Sequence, residues 1–163
     1  MNSMQNEQDK KFEENLAMGI AGEDTAYEYL IRNYGLVEDT RSQVHGTGAG
    51  PRMIGTEGKI IQPDFCVYNK PGSPKGRFAV DVKVKSDQYT FEGKKCFTVD
   101  KKIEDYKRIV QIKHLDYLMI IFIYAGRMYF YQDSDCIGKK FMSNDYGHGF
   151  VYFFEADEKK IRY

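Results

Sequence analysis

The stretch RFAVDVKVK, residues 77–85, alternates apolar and polar side chains along most of its length. Such alternation is typical of a strand that buries one face, because successive side chains point to opposite sides of a sheet. The apolar residues at even positions then face a core, whereas Asp81, Lys83 and Lys85 share the other face. The stretch therefore predicts a strand that holds a carboxylate next to an ammonium group.

The residues around this stretch indicate a hairpin and a larger sheet. Segment 59–68 is predicted to form the preceding strand, and the connection 69–76 contains two prolines and two glycines, as a turn region does. Further strands are predicted at 36–44, 115–124, 127–132 and 150–155.

Two segments carry helical patterns. Between residues 10 and 34, apolar side chains recur three and four positions apart, and Gly35 follows as a stop signal. The members of this apolar stripe are Phe12, Leu16, Ile20, Tyr27, Leu30, Ile31 and Tyr34. Asp100 is a suitable cap for a second helix that ends near residue 113. The elements predict an α/β (α+β) fold over residues 1–163, a single domain with a mixed central sheet flanked by helices and with residues 1–9 flexible.

Length and composition fit one globular domain. The chain has 163 residues, 42% hydrophobic and 29% charged, so neither wholesale disorder nor a coiled coil is expected. No apolar run reaches the length of about 18 residues that spans a bilayer, and the polar residues 1–11 contain no apolar stretch of a secretory signal. The three cysteines are far apart and form no Cys-x-x-Cys pair, which favours a reducing compartment and a cytoplasmic protein.

Charge is unevenly distributed although the formal net charge is zero. Residues 70–113 contain 12 Lys/Arg and 6 Asp/Glu, for a net charge of +6, whereas residues 1–69 have a net charge of −5. A basic segment of this kind suits contact with phosphates. A solvated lysine-rich face is the alternative interpretation.

The first candidate for chemistry is Glu23, which falls within the apolar stripe, three residues after Ile20 and four before Tyr27. Burying a lone carboxylate is costly unless the group is paired, protonated or bound to a metal. Gly19 and Gly22, which flank this position, allow another segment to approach the carboxylate closely. An ordinary ion pair with a lysine is the alternative explanation.

Two further carboxylates are suggested by a strand irregularity and by the strand period. Proline lacks the N–H that a sheet ladder needs, so Pro63 marks an edge or a bulge, and a bulge aims a neighbour such as Asp64 at a site. Asp81 and Lys83 lie side by side on the next predicted strand. Carboxylates with water suit Mg²⁺, and a lysine suits the activation of water or the stabilisation of charge. Solvent-exposed charges explain each feature equally well on its own.

The order of these features resembles the PD-(D/E)xK nuclease superfamily. The matching residues are Glu23 on the helix, Pro63-Asp64 on one strand, and Asp81-Val82-Lys83 on the next, with a hairpin between the strands. The segment GIAGEDTAYEYLIRNYG, residues 19–35, also looks like the opening helix of archaeal-type Holliday-junction resolvases. The resemblance covers about residues 16–124.

The resemblance implies a restriction-endonuclease-like core and a Mg²⁺-dependent DNA endonuclease, in which Mn²⁺ substitutes for Mg²⁺. Selectivity for branched DNA is a further hypothesis. Asp64, Asp81 and the backbone carbonyl of Val82 would be metal ligands, and Glu23 would bind or orient a metal. Lys83 would position or activate the attacking water. Selectivity for branched DNA would accompany a homodimer, which presents two active sites to two strands.

Basic residues near the second predicted helix fit contact with DNA phosphates. They are Lys85, Lys94, Lys95, Lys101, Lys102, Lys107 and Arg108. The same helix carries Tyr106 and Gln111, but their spacing departs from the Gln-x-x-x-Tyr pattern of related exonucleases, so they receive no role. The glycine-rich run 46–50 is predicted to form a loop and receives none either.

Two alternatives from other functional classes remain open. Zero net charge and the absence of a sequence-reading motif also fit a non-catalytic DNA-binding or assembly module that keeps a nuclease fold. A protein-interaction domain is suggested by the aromatic residues of the C-terminal third, for which a core or a dimer interface is the simpler explanation. These aromatic residues are Phe130, Tyr131, Phe141, Tyr146, Phe150, Tyr152, Phe153 and Phe154.

Overall fold

A computed structural model of the protein describes residues 3–41, 52–55, 58–144 and 147–162. Within these ranges the chain forms two α-helices and eleven strands. The helices are α1 (Ser3–Asn33) and α2 (Lys102–Ile112). The strands are β1 (Leu36–Asp39), β2 (Arg52–Gly55), β3 (Gly58–Ile61), β4 (Phe65–Tyr68), β5 (Arg77–Val84), β6 (Tyr89–Phe91), β7 (Lys94–Val99), β8 (Tyr117–Tyr124), β9 (Arg127–Gln132), β10 (Gly138–Asn144) and β11 (Gly147–Glu155).

The main sheet has five strands in the order β1-β4-β5-β8-β9. β5 and β8 are parallel, with Phe78 opposite Tyr117, and the other neighbouring strands of this sheet are antiparallel. Parallel neighbours need a long crossover connection, which here consists of β6, β7 and α2. The predicted β4–β5 hairpin and the mixed sheet of a single α+β domain are confirmed.

The C-terminal half of α1 packs on one face of the main sheet. Ala26 and Leu30 are fully buried there. The other buried members of this core are Phe65, Val67, Phe78, Val80, Val82, Met119, Ile121, Met128 and Phe130. A methyl group at Gly22 would overlap Cγ2 of Val84, whereas Gly19 has open space beside it in the described structure. The predicted close approach therefore occurs at Gly22 only.

The opposite face of the main sheet is covered by α2 and a second sheet of four strands, in the order β10-β11-β7-β6. Aromatic rings dominate the core between the layers: the rings of Phe97 and Phe122 stack with centroids 4.9 Å apart, and Phe154 and Tyr131 pack beside them. Ile103, Tyr106 and Ile109 form the buried face of α2. The odd-numbered residues of β5 thus point toward α2.

Several predicted boundaries are wrong. The segment 59–68 is two strands, β3 and β4, because the chain leaves the sheet around Pro63. Four strands were not predicted because they are short or rich in polar residues; they are β2, β6, β7 and β10. α1 begins at Ser3, so residues 3–9, predicted to be flexible, are helical; they contain no proline or glycine.

The remaining predictions concern the apolar stripe of α1, the segments outside the described residues, membrane-spanning segments and the cysteines. Ile31, a member of the apolar stripe, is 49% exposed. The side chains of Phe12 and Leu16, the segment 42–51 and the predicted glycine-rich loop lie outside the described residues. Neither described helix has the length and apolar character that crossing a bilayer requires. All three cysteines are free thiols.

Candidate active site

Asp64 lies immediately before β4, where this strand separates from β5. The last pair of the β4–β5 ladder is Phe65 with Val80. Beyond it, the backbone N–H of Val82 donates to the carboxylate Oδ2 of Asp64 over 2.8 Å. The backbone of Asp64 is also held from the other side, because its carbonyl accepts a hydrogen bond from the N–H of Thr40 at 3.0 Å. The interruption between β3 and β4 at Pro63 thus directs the Asp64 side chain toward β5.

Asp81 and Lys83 lie next to each other on the α2 side of β5, as the alternating sequence predicts. Nζ of Lys83 is 3.3 Å from Oδ2 of Asp81. The Asp81 residue is only 2% exposed, and its Oδ2 accepts no well-formed hydrogen bond from any described group, so the contact with Lys83 is an ion pair of poor hydrogen-bond geometry. A buried carboxylate oxygen in this state is costly unless a further cation compensates it.

Glu23 reaches the same place from α1. The carboxyl groups of Glu23 and Asp64 share a hydrogen bond. The Glu23 side chain is 25% exposed, and its Oε2 lies 3.6 Å from the guanidinium of Arg41. The structure therefore brings together Glu23, Asp64, Asp81 and Lys83, residues that come from α1, the start of β4 and the end of β5.

The carboxyl groups in this cluster hold their protons unusually firmly. Burial raises the pKa of Asp64 to about 7, with a further contribution from the charge of Glu23. Burial also raises the pKa of Asp81 to about 7, against the opposing effect of Lys83 and with the help of the Asp64 charge. Burial raises the pKa of Glu23, although Asp64 and Arg41 oppose this rise. The three groups lie too close together in a poorly solvated place to be ionised easily at once.

The two lysines on this face of β5 differ in their protonation. Burial opposes the charge of Lys83, but the carboxylate of Asp81 outweighs it and raises the Lys83 pKa well above the ordinary value. Burial and the charge of Lys83 lower the pKa of Lys85 to about 8. The Lys85 ammonium lies 3.5 Å from the hydroxyl of Thr98 on β7. Lys85, one of the predicted DNA-binding residues, is thus half-buried beside the site.

Two neighbours of the site were missed at the sequence level. Arg41 is 8% exposed; its guanidinium contacts Asp24 at 2.9 Å and Asp39 at 3.0 Å, besides Glu23. Tyr106 is buried on α2, and burial, then the charge of Asp81, raises the pKa of its hydroxyl. No pattern signals Arg41, since Glu23 and Asp24 are distant from it in sequence and only Asp39 is near. The helical spacing does place Tyr106 on the inner face of α2.

The predicted DNA-binding residues are distributed along a wider surface. Lys101 and Lys102 begin α2, next to Asp100, whose charge affects the pKa of Lys83 and Lys85. These two lysines therefore border the site. Lys94 and Lys95 begin β7, at the end of that strand remote from α2, and Lys107 and Arg108 are exposed further along α2.

The residues present fit a hard divalent cation. Across the described ranges no three histidine, cysteine, aspartate or glutamate side chains form a ready-made ligand cluster. The converging groups are nevertheless carboxylates, the donors that Mg²⁺ prefers, and the buried Oδ2 of Asp81 lacks a hydrogen-bond partner among the described groups. The raised pKa values of Asp64 and Asp81 indicate negative charge that a cation would relieve.

Comparisons with known proteins identify no relative of this chain: no protein-family model, no curated protein and no solved structure matches it.

Proposed function

We propose that this protein is a Mg²⁺-dependent deoxyribonuclease that hydrolyses phosphodiester bonds as an endonuclease, on a restriction-endonuclease-like core. The observation that carries the proposal is the convergence of three carboxylates and one ammonium group from three separate elements. Its centre is the buried Oδ2 of Asp81, which lacks a hydrogen-bond partner among the described groups. A structural ion pair would not require Glu23 and Asp64 at the same place.

Each residue of the cluster has a distinct part in this proposal. Asp64 and Asp81 would hold the metal together with the backbone carbonyl of Val82, and Glu23 would bind or orient it. The metal would supply Lewis-acid stabilisation of the phosphate and a more acidic bound water. Lys83, kept protonated by Asp81, would orient the attacking water and stabilise the charge that develops on the phosphate. Tyr106 and the main sheet limit access of bulk water from the α2 side.

Cleavage assays test the proposal. Supercoiled plasmid, linear duplex and four-way junctions are incubated with the protein in Mg²⁺, in Mn²⁺ and in EDTA. We expect cleavage with either metal, none in EDTA, and a loss of at least about a hundredfold in Asp81→Ala. Asp87→Ala, an exposed carboxylate just beyond β5, is the matched control and should cleave normally. Undiminished cleavage by Asp81→Ala, or no metal-dependent cleavage of any DNA, would refute the proposal.

A non-catalytic DNA-binding or assembly module is the second candidate, and the Asp81–Lys83 ion pair favours it. If Lys83 neutralises Asp81 permanently, no metal is required. Thermal melting with added Mn²⁺ separates the two candidates: a metal site predicts stabilisation that Asp64→Asn and Asp81→Asn both remove. The module predicts no such stabilisation.

Assembly and location complete the proposed function. Action on branched DNA would be served by a homodimer, which light scattering would reveal as twice the 19.0 kDa chain mass. The three free thiols at Cys66, Cys96 and Cys136 fit a reducing compartment, and we propose the cytoplasm.

A further inference from the structure

A two-stranded arm extends from the second sheet. β10 pairs with β11 from Gly138 to Asn144, but β7 pairs only with Tyr152–Glu155 at the other end of β11. The aromatic arm, defined here as residues 140–144 and 147–151, therefore has no third strand beside it in the described structure. Its side chains are therefore not required to pack between paired strands of a larger sheet.

The aromatic arm nevertheless carries large apolar side chains. On one face Phe141 is 59% exposed and Phe150 38%, and on the other face Met142 is 41% exposed. Phe141 and Phe150 are direct cross-strand partners, and their rings meet edge to face with centroids 5.6 Å apart. The pair stabilises the isolated ribbon, but so much remaining exposure indicates that this face meets another molecule.

Charge identifies the kind of partner. Lys139 lies on the same face as Phe141 and Phe150, with its Nζ 4.6 Å from the centroid of the Phe150 ring, whereas Lys140 follows it on the other face of this edge strand. Lysine is depleted in protein–protein interfaces, and lysines on an edge strand discourage pairing with a strand of a second copy. Aromatic rings interleaved with cations instead suit nucleic acid, in which bases stack on rings and phosphates contact ammonium groups.

The aromatic arm begins beside the candidate active site. A methyl group on Gly149 would lie 3.0 Å from Cδ of Lys101, so the stem of this lysine lies against the arm. Lys101 follows Asp100, whose charge acts on Lys83 and Lys85. The hydroxyl of Tyr152, two residues after Phe150 and on the same face of β11, donates to the carboxylate of Glu104 on α2. The base of the arm is thus anchored on the helix that borders the site.

We infer that the aromatic arm binds DNA bases that are unpaired or unstacked, with Phe141 and Phe150 as the stacking surface and the adjoining Lys139 as a phosphate contact. This inference rests on the proposed function, since it assigns to the same site a substrate with an opened or branched duplex. DNA-binding proteins that bend or kink the duplex often insert apolar side chains between base steps. A fully paired duplex offers no free base face, so it should bind without help from the arm.

Binding without cleavage tests the inference. A fluorescein-labelled four-way junction and a paired duplex of equal length are titrated by anisotropy in EDTA, and 2-aminopurine at the branch reports stacking. The double variant Phe141→Ala/Phe150→Ala should weaken junction binding at least about fivefold and abolish the 2-aminopurine change, with duplex binding altered less than twofold. Phe141→Tyr/Phe150→Tyr should retain both signals, because it retains the rings. Leu36→Ala, an exposed apolar side chain on β1, is the control and should bind like the parent protein.

Three results would overturn the inference. They are equal junction binding by the double alanine variant, no preference of the parent protein for the junction, and conversion of a parent dimer to a monomer by the double alanine variant. The last result would assign the face to a second copy. Failure of the nuclease proposal is distinguishable, because cleavage would then be absent while junction-selective binding in EDTA persists. Asp81→Ala should likewise abolish cleavage and leave this binding selectivity intact.

Discussion

The carboxylate of Asp64 replaces a strand partner for Val82: its Oδ2 accepts the Val82 N–H over 2.8 Å, beyond the last backbone pair of β4 and β5. One side chain therefore satisfies the backbone at the end of the ladder and stands next to Asp81. The arrangement links the fold to the candidate chemistry, because a substitution at Asp64 that cannot accept a hydrogen bond alters both.

Asp64→Asn should change the pH dependence of stability in metal-free protein. Burial raises the pKa of Asp64 and Asp81 to about 7, so the folded state binds more protons than the unfolded chain between about pH 4 and 7. The stability that these protons provide is complete below pH 4 and is lost as the pH rises through 7. Asn at position 64 can still accept from Val82 but carries no charge. We expect a shallower slope and a melting temperature at pH 8 that is higher by about 2–4 °C, which corresponds to about 1 kcal/mol.

Circular dichroism melts in EDTA from pH 5 to 8 measure this effect. Asp87→Asn, which is exposed, serves as the control and should follow the parent curve. Parallel curves for the parent protein and Asp64→Asn would contradict the raised pKa of the buried pair.

Gly22→Ala and Gly19→Ala form a matched pair that tests the approach of α1 to β5. A methyl group at Gly22 would overlap Cγ2 of Val84, so α1 must shift and carry Glu23 with it. We expect Gly22→Ala to cost about 1–3 kcal/mol in the free energy of unfolding and to lower any cleavage rate. Gly19→Ala has open space in the described structure and should stabilise the helix by up to about 1 kcal/mol. Urea titrations compare the two; equal effects would show that α1 does not need the close approach.

Much of the site is predictable because short-range patterns determine it. The alternation of residues 77–85 places Asp81 beside Lys83, and the proline at position 63 marks where the strand leaves the sheet. Glu23 stands out because it interrupts an apolar stripe. In the last two cases a local rule is broken by a residue that is charged or lacks an N–H, and the structure gathers these residues with Asp81 and Lys83 at one place.

What the sequence does not predict depends on distant contacts. Arg41 follows a short strand that ends at Asp39, and only the packing of α1 against β1 brings Asp24 to its guanidinium. The sequence does not distinguish Lys85 from a surface lysine, because its partial burial results from its contact with Thr98 of β7. β10 was missed because GKKFMSN lacks clean alternation, and its position at the edge of the second sheet depends on its pairing with β11.

Arg41→Met should destabilise the fold and alter the site together. Its guanidinium is 8% exposed and contacts three carboxylates, those of Glu23, Asp24 and Asp39, so its removal takes a shared positive charge away from all three. We expect a loss of about 2 kcal/mol in unfolding free energy, the scale of a hydrogen bond to a charged group. Because Arg41 lowers the pKa of Glu23, that pKa should rise further. Urea denaturation measures the loss of stability, and carbon-13 NMR titration measures the pKa of Glu23. Arg32→Met, which replaces an exposed arginine, is the control. An unchanged Glu23 titration would show that Arg41 is not electrostatically coupled to the site.

Lys83→Met should separate metal binding from catalysis. Lys83 lowers the pKa of Asp81 by its charge, so its removal should raise that pKa further and weaken ionisation near neutral pH. Mg²⁺ needs the ionised carboxylates, and its stabilising effect on the melting temperature should therefore persist in Lys83→Met but require a higher pH than in the parent protein. Cleavage should fall by at least about a hundredfold even at the higher pH, since the ammonium that orients water is gone. Thermal melts with and without Mg²⁺ from pH 6 to 9, paired with plasmid cleavage at each pH, distinguish this outcome from simple unfolding. Cleavage by Lys83→Met that recovers fully at high pH would assign to Lys83 only the control of Asp81 ionisation.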